Sequence, residues 1–312
     1  MQDLRFAWLE LTGRCTLLCN HCYADSGPKG TDGTMRPDDW LRTIEEVARL
    51  GGRMVQFIGG EPTLHRLLPE FVTHALTSGL EVEVFSNLVH VSPQLWDVFT
   101  QPGVRLATSY YSDSAAEHQA ITKGRNSYER TKANIIEALH RSIPLRVGLI
   151  DVQDGQRVKQ AYAELKALGV TEIRLDRLRQ VGRGVRDQQP GIEQLCGRCA
   201  NDVVAISSDG SVRPCIFARW LPVGNVHESS LSEIINGAIF ATTRTQLKCH
   251  FAKRQCGPDR RECGPDRPKC APESRCDPSL SECQPHCPPG YHCGPKCTPD
   301  KCGPGYYCAP DG

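Results

Sequence analysis

Six short apolar runs recur through the first 180 residues, and amphipathic stretches separate them. The runs are FAWLELT (6–12), MVQFI (54–58), EVEVFS (81–86), VRLATSY (104–110), LRVGLID (145–151) and EIRLD (172–176). Between them lie PDDWLRTIEEVARLG (37–51), YERTKANIIEALHR (128–141) and DGQRVKQAYAELKALG (154–169). Proline near a helix start and glycine just past its end are the expected boundary marks. Six strand-then-helix repeats in short runs predict parallel strands with crossover helices. The expected fold is α/β: a partial, TIM-like (β/α)6 barrel, short of the closed eight-fold form, with a C-terminal Cys-rich extension. Ligands of such sheets gather at the carboxyl ends of the strands.

The pattern changes after residue 190. DVVAISSDGSVRPCIF (202–217) reads as a hairpin around Asp209-Gly210, a favoured two-residue turn. SSLSEIINGAIFATTRTQLK (229–248) then reads as a helix. From 249 onward aliphatic residues almost vanish, and a degenerate Cys-small-Pro-acidic repeat returns every six or seven residues. Such a segment cannot build an apolar core, so its order must come from metal, disulfides or contact with the barrel. The expected division is 1–190 for the barrel, 191–248 for a second cysteine region and 249–312 for a Cys/Pro-rich tail.

Composition narrows the class. The chain has 312 residues, 39% hydrophobic, with a net charge of +1. Balanced, scattered charge gives no footprint for nucleic acid or a membrane surface. No apolar stretch is long enough to span a bilayer, and no signal peptide opens the sequence. A cytoplasmic location is therefore expected. In a reducing compartment the 17 cysteines point to metal or redox chemistry rather than a disulfide framework. They are unevenly placed: Cys15, Cys19 and Cys22; then Cys196, Cys199 and Cys215; then eleven in 249–312.

Cys15-x3-Cys19-x2-Cys22 follows the first strand, and GGEP (59–62) follows the second. Taken alone, three thiolates also suit part of a zinc site. Thiolates are equally the ligands of iron–sulfur clusters, and three of them leave the fourth iron of a cubane open. With GGEP downstream, the chain resembles the radical S-adenosylmethionine (radical SAM) superfamily. The resemblance implies a 4Fe–4S cluster whose open iron binds SAM, reductive SAM cleavage to a 5′-deoxyadenosyl radical, and hydrogen abstraction from substrate. It implies that Gly59, Gly60, Glu61 and Pro62 receive the methionine amino group. By the same resemblance His21 and Tyr23 lie beside the adenine, Ser86 and Asn87 contact ribose or carboxylate, and Ser109 makes another cofactor contact. Arg179, with GRG (182–184), would reach the SAM carboxylate. At the fourth strand the chain reads SYYSD where related members have Ser-x-Asp, so Asp113 is displaced from that pattern.

Cys196-x2-Cys199-x10-Gly210-x4-Cys215 resembles the opening of a SPASM or twitch extension. The resemblance implies at least one auxiliary 4Fe–4S cluster, with Cys196, Cys199 and Cys215 among its ligands. Tail cysteines from Cys283 to Cys308, with Cys249 and Cys256 competing, would serve that cluster or a second one. Enzymes of this type mostly modify ribosomally made peptides, by crosslinking, epimerisation or oxidation. The implied partners are a precursor peptide and an external electron donor such as flavodoxin or ferredoxin. The first strand begins near residue 6, so leader recognition is expected on a separate protein or the barrel itself. The alternatives are a radical SAM dehydrogenase or epimerase acting on a small molecule such as a sugar, and a non-catalytic iron–sulfur protein.

Overall fold

The computed structural model describes residues 4–255. The chain divides into two compact units, Met1–Phe240 and Ala241–Gly312. The first unit is built on one nine-stranded sheet. Its strands are β1 (Phe6–Thr12), β2 (Met54–Gly59), β3 (Glu81–Phe85), β4 (Val104–Tyr110), β5 (Leu145–Asp151), β6 (Glu172–Arg177), β7 (Val203–Ser207), β8 (Ser211–Arg213) and β9 (Gly224–Asn225). They lie in the order β6-β5-β4-β3-β2-β1-β7-β8-β9. β1 to β6 are parallel, as expected of strands joined by helices. The hairpin around Asp209-Gly210 is present, and Gly210 supplies the positive φ of +80° its turn needs. Its first strand also pairs in parallel with β1, so the hairpin prolongs the barrel sheet.

Register explains the two faces of this sheet. Val212, Ile206, Leu9, Phe57, Val84, Leu106 and Leu145 form one apolar row across seven strands, and all are buried. One residue along, the row is Arg213, Ala205, Trp8, Gln56, Glu83 and Arg105. Glu10, Arg146 and Glu172 share that polar face. Arg105 and Arg146 bind Glu83 at 3.0 and 2.6 Å, and Arg105 and Arg174 each bind Glu172 at 2.6 Å. The apolar face packs under helices, while the inner face stays polar and partly accessible.

The helices are α1 (Pro37–Arg49), α2 (Leu68–Thr77), α3 (Pro93–Phe99), α4 (Ala115–Thr122), α5 (Ser127–His140), α6 (Val158–Ala167), α7 (Leu231–Asn236) and α8 (Ala238–Gln255). Proline opens α1, and the buried Asp39 carboxylate accepts from Arg36 N–H at 3.0 Å. The single helix expected over 229–248 is two: Gly237, in an extended conformation, ends α7 before α8 begins. Among the described residues no helix is long and apolar enough to cross a membrane.

One buried cluster under the sheet carries a pH dependence. His118, on α4, is 1% exposed and has the rings of Tyr110, Tyr111 and Tyr128 around it at 5.2–5.9 Å. Its Nδ1 meets Ser127 Oγ at 3.2 Å. Burial pulls its pKa down to about 4. The unfolded chain takes up this proton near pH 6.5 and the folded chain does not. Stability is therefore full above that pH and falls as the solution is acidified toward pH 4, by up to about 3 kcal/mol. Urea unfolding at pH 7 and pH 4.5 is expected to show this slope in the wild type. The slope should be shallower in His118→Phe; an equal slope would remove His118 as its source.

Candidate functional site

The three-cysteine loop leaves β1 at the carboxyl rim of the barrel. Thr12 shapes its start: its hydroxyl donates to Asp32 Oδ1 at 2.7 Å and accepts from Arg14 N–H at 2.9 Å. Cys15 N–H donates to Gly27 O at 3.0 Å, and Leu18 and Asn20 donate to the carbonyls of Thr122 and Ile121 at the end of α4. The loop is thus held by backbone bonds on both sides. None of Cys15, Cys19 and Cys22 is in a disulfide. Their sulfurs are close enough for the charge of Cys22 to oppose ionisation of Cys15 and Cys19, and that of Cys15 to oppose Cys19. Burial, then the charges of Glu61 and Cys22, push the Cys15 thiol up to about 11. Burial, then Cys22 and Cys15, push Cys19 up as well.

GGEP locks onto this loop through its backbone. Gly60 N–H donates to Thr12 O at 2.6 Å and Glu61 N–H to Arg14 O at 2.7 Å. A Cβ on Gly60 would lie 2.1 Å from Arg14 O, so only glycine permits this approach. The Glu61 carboxylate turns inward and is 2% exposed. It accepts from Thr63 N–H at 3.2 Å, Thr63 hydroxyl at 2.7 Å and Asn87 N–H at 2.7 Å. Its side chain therefore ties the ends of β2 and β3 together, and the loop offers backbone to the rim. Pro62 is buried.

The other expected contacts separate into two groups. Asn87 reaches the site: its Nδ2 lies 3.7 Å from Cys15 Sγ and 3.3 Å from Thr16 Oγ1. His21 is also there, with Nε2 at 3.1 Å from the Tyr111 hydroxyl and its ring edge-on to that tyrosine. Ser109 hydrogen-bonds the same tyrosine. Ser86 is 1% exposed; its hydroxyl accepts from Leu88 N–H at 3.0 Å and hydrogen-bonds the Glu61 carboxylate, so it supports GGEP from within. Tyr23 packs edge-on against Phe217, 5.2 Å between centroids. Arg179 is held by Asp176 at 2.7 Å and Gln194 O at 2.9 Å, beneath Phe217. These bonds direct its guanidinium to the second cysteine region instead of the first. Asp113 forms a bidentate pair with Arg157 at 2.8 Å.

Sequence reasoning set GRG (182–184) toward the SAM carboxylate and did not foresee that it braces the cysteine loop from behind. Arg183 donates from Nε to Cys19 O at 2.8 Å, from Nη2 to Ser26 O at 2.6 Å and from Nη1 to Asp25 Oδ1 at 2.8 Å. Its backbone N–H donates to Cys22 O at 3.0 Å. Gly182, at φ +59°, would place a Cβ 2.5 Å from Cys22 O, and Gly184 a Cβ 3.3 Å from His21 O. The GRG segment is thus a clasp on the cysteine loop. Tyr111, beside His21 and within range of all three thiols, was also missed. The adjacent glycines around Arg183 and the second tyrosine of SYY were the available signals.

Cys196, Cys199 and Cys215 converge as well. The Cys199 thiol hydrogen-bonds Cys196, which draws the Cys196 pKa down to about 5 and raises its own. Cys199 also shares a hydrogen bond with Cys215. The hairpin supplies Cys215 just after β8, and Ala200 N–H donates to Pro214 O at 3.0 Å across the two segments. Candidate tail ligands from Cys256 onward lie outside the described residues, and Cys249 lies on α8.

Residues 9–169 match the radical SAM superfamily, more than half of the chain. The chain belongs to the radical SAM superfamily. Residues 196–264 match SPASM, an iron–sulfur cluster-binding domain. Among characterised relatives, the PqqA peptide cyclase of Xanthomonas campestris pv. campestris (strain B100) is 28% identical over 264 residues, 76% of this chain and 70% of that protein. The AdoMet-dependent heme synthase of Methanosarcina barkeri is 27% identical over 180 residues, 57% of this chain and 51% of that protein. Similar solved structures include Streptococcus suis SuiB bound to precursor peptide SuiA, with TM-score 0.66, 12% identity, and coverage of 78% of this chain and 67% of that one. Another is anSMEcpe with bound AdoMet and Cp18Cys peptide, with TM-score 0.62, 13% identity, and coverage of 80% and 85%. At these identities the structural likeness establishes the shared fold.

The radical SAM cofactors are a 4Fe–4S cluster and SAM, and the SPASM segment adds cluster-binding capacity. The first site suits a cationic iron–sulfur core. Cys15 and Cys19, whose ionisation is opposed by burial and by neighbouring thiols, need such a positive charge to become thiolates. When bound, this pair supplies a deoxyadenosyl radical. The protein's own part is to fix the loop, to present GGEP backbone beside it, and to shield the site with Tyr111 and His21.

Proposed function

We propose that this radical SAM enzyme modifies a ribosomally synthesised peptide by crosslinking, epimerisation or side-chain oxidation. The observation that carries the reading is the triple junction at the rim. Cys15, Cys19 and Cys22 are clasped between GGEP on one side and GRG on the other, above a polar barrel interior. In this reading the three thiols ligate the SAM-binding cluster, and Gly59, Gly60, Asn87, His21 and Ser109 border the cofactor. Cys196, Cys199 and Cys215 contribute to an auxiliary cluster. Similarity to a PqqA peptide cyclase supports a peptide substrate over a sugar. A flavodoxin or ferredoxin would donate the electron.

The test is anaerobic reconstitution with iron and sulfide, followed by SAM, reductant and the short peptide encoded nearest this gene. The expected products are 5′-deoxyadenosine and a peptide of altered mass. Absence of 5′-deoxyadenosine from a protein with full iron content would overturn the enzymatic reading. 5′-Deoxyadenosine with modification of a sugar and not the peptide would overturn the substrate.

A further inference from the structure

The fold gathers basic side chains around the solvent side of the cysteine loop. Leu18 stands between Cys19 and Leu17, which packs with Cys15 and Val89, and it is 48% exposed. Its side chain lies over Gly27, where a Cβ would meet Leu18 Cδ1 at 2.9 Å. The turn closed by Gly30 N–H on Gly27 O at 3.0 Å carries Lys29 beside it. On the other side, Leu18 N–H donates to Thr122 O at 3.1 Å, next to Lys123. A Cβ on Gly124 would meet Leu17 Cδ2 at 2.2 Å, and Arg125 follows that glycine. Arg186 reaches the same loop, with Nη2 donating to Asn20 O at 3.2 Å.

Lys29, Lys123, Arg125 and Arg186 are exposed, and among the described residues none has a carboxylate within ion-pair distance. The two acids of residues 13–32 are engaged: Asp32 pairs with Arg14 at 3.7 Å and Asp25 with Arg183 at 2.8 Å. The four cations stand in water, so they need no counter-charge from within the protein. Their joint effect is a local positive field. The whole chain carries only +1, so this concentration is made by the fold and not by composition. It rings an exposed apolar side chain adjacent to a cysteine of the first site. Redox encounters between proteins use small interfaces, and complementary charge sets their approach rate.

We propose that this patch, Leu18 ringed by Lys29, Lys123, Arg125 and Arg186, is the docking surface for an acidic one-electron carrier protein holding a flavin or an iron–sulfur centre. One electron leaves the reduced centre of the carrier and enters the cluster held by Cys15, Cys19 and Cys22. The carrier is oxidised by one electron, the cluster is reduced by one, and no bond forms or breaks. Leu18 supplies the apolar centre of the contact and the cations its charged rim. The proposal rests on the three thiols as cluster ligands and not on the peptide substrate.

The experiment uses the cluster-loaded full chain and an acidic bacterial flavodoxin. Binding of the oxidised flavodoxin is read by calorimetry at low and at high salt, where surface charges are screened. The affinity of the wild type is expected to fall about ten-fold or more as salt is raised. Lys29→Glu, Lys123→Glu and Arg125→Glu combined should weaken binding about ten-fold or more at low salt and remove the salt dependence. Stopped-flow reduction of the cluster by reduced flavodoxin should slow in this variant, while photoreduced deazaflavin, a small uncharged reductant, should act at the wild-type rate. If the triple variant fails to fold, Lys123→Gln and Arg125→Gln are tested singly; each should weaken binding at low salt, and if neither does the proposal falls. Absence of binding, or binding that ignores salt, overturns it. So does a charge-reversed variant that binds as the wild type does, or one slowed equally with both reductants, which would make the cations braces of the loop. Binding of oxidised flavodoxin needs neither an electron nor SAM. Its outcome is therefore separate from the assignment of the thiols, which deazaflavin reduction of the cluster reads.

Discussion

Replacing Cys15, Cys19 and Cys22 together by alanine is expected to remove about four irons per chain and to bring 5′-deoxyadenosine formation below detection. The thiols supply the only sulfur donors on this loop, and the carbonyls of Cys19, Cys22 and Ser26 already accept from Arg183. Iron held by the second cysteine region should remain, since Cys196, Cys199 and Cys215 keep their own hydrogen bonds. Iron and sulfide analysis beside the wild type, with circular dichroism to check the fold, reads both results. A triple variant that still binds all its iron would refute the assignment of the loop. One that loses all of it would show that the second site depends on the first for its structure.

Gly60→Ala is expected to be nearly as damaging, although it adds one methyl group. Its Cβ would stand 2.1 Å from Arg14 O and 2.6 Å from Arg14 C, both backbone atoms that cannot swing aside. The GGEP strand end must move off the cysteine loop, breaking the bonds from Gly60 and Glu61 N–H to Thr12 and Arg14. A cost of about 2–4 kcal/mol is expected, with SAM turnover reduced on the order of a hundredfold through misplacement of the loop. Gly79→Ala is the control. That glycine has φ +82° but nothing within 4 Å of its Cβ direction, so the variant loses only about 1 kcal/mol of conformational preference. Urea midpoints and turnover for the pair are the measurement. If the two variants behave alike, steric closure at Gly60 is not what holds the rim together.

The six parallel strands were legible because buried parallel strands read as apolar runs. Glycines and prolines marked several of the helix ends. What stayed hidden was the charged inner face. Glu83, Arg105 and Arg146 sit inside apolar runs, and each looks like an isolated interruption until register aligns them across strands. α4 has so weak an apolar stripe that His118 and Ile121 gave no sign of packing inward. The cysteine motif and GGEP announced themselves by spacing. The Arg183 clasp could not, because it joins positions 164 residues apart and its donors meet carbonyls, which every residue has. Ser86 and Asn87 illustrate the same limit. Adjacent at one strand end, they alternate sides, so one is buried and the other reaches Cys15.

The clasp also bears on the order in which the molecule is made. Everything that names the chemistry, from Cys15 to GGEP, has left the ribosome when about sixty residues have been synthesised. The parts that hold the cysteine loop arrive far later. Arg183 must be translated before Cys19 and Cys22 are clasped, and Val203–Ser207 before β1 gains its second neighbour. Until then β1 is an exposed edge with three thiols at its end, prone to wrong pairing and oxidation. Iron delivered early would meet a loop without its brace. The timetable of synthesis thus favours metal loading after most of the chain has folded.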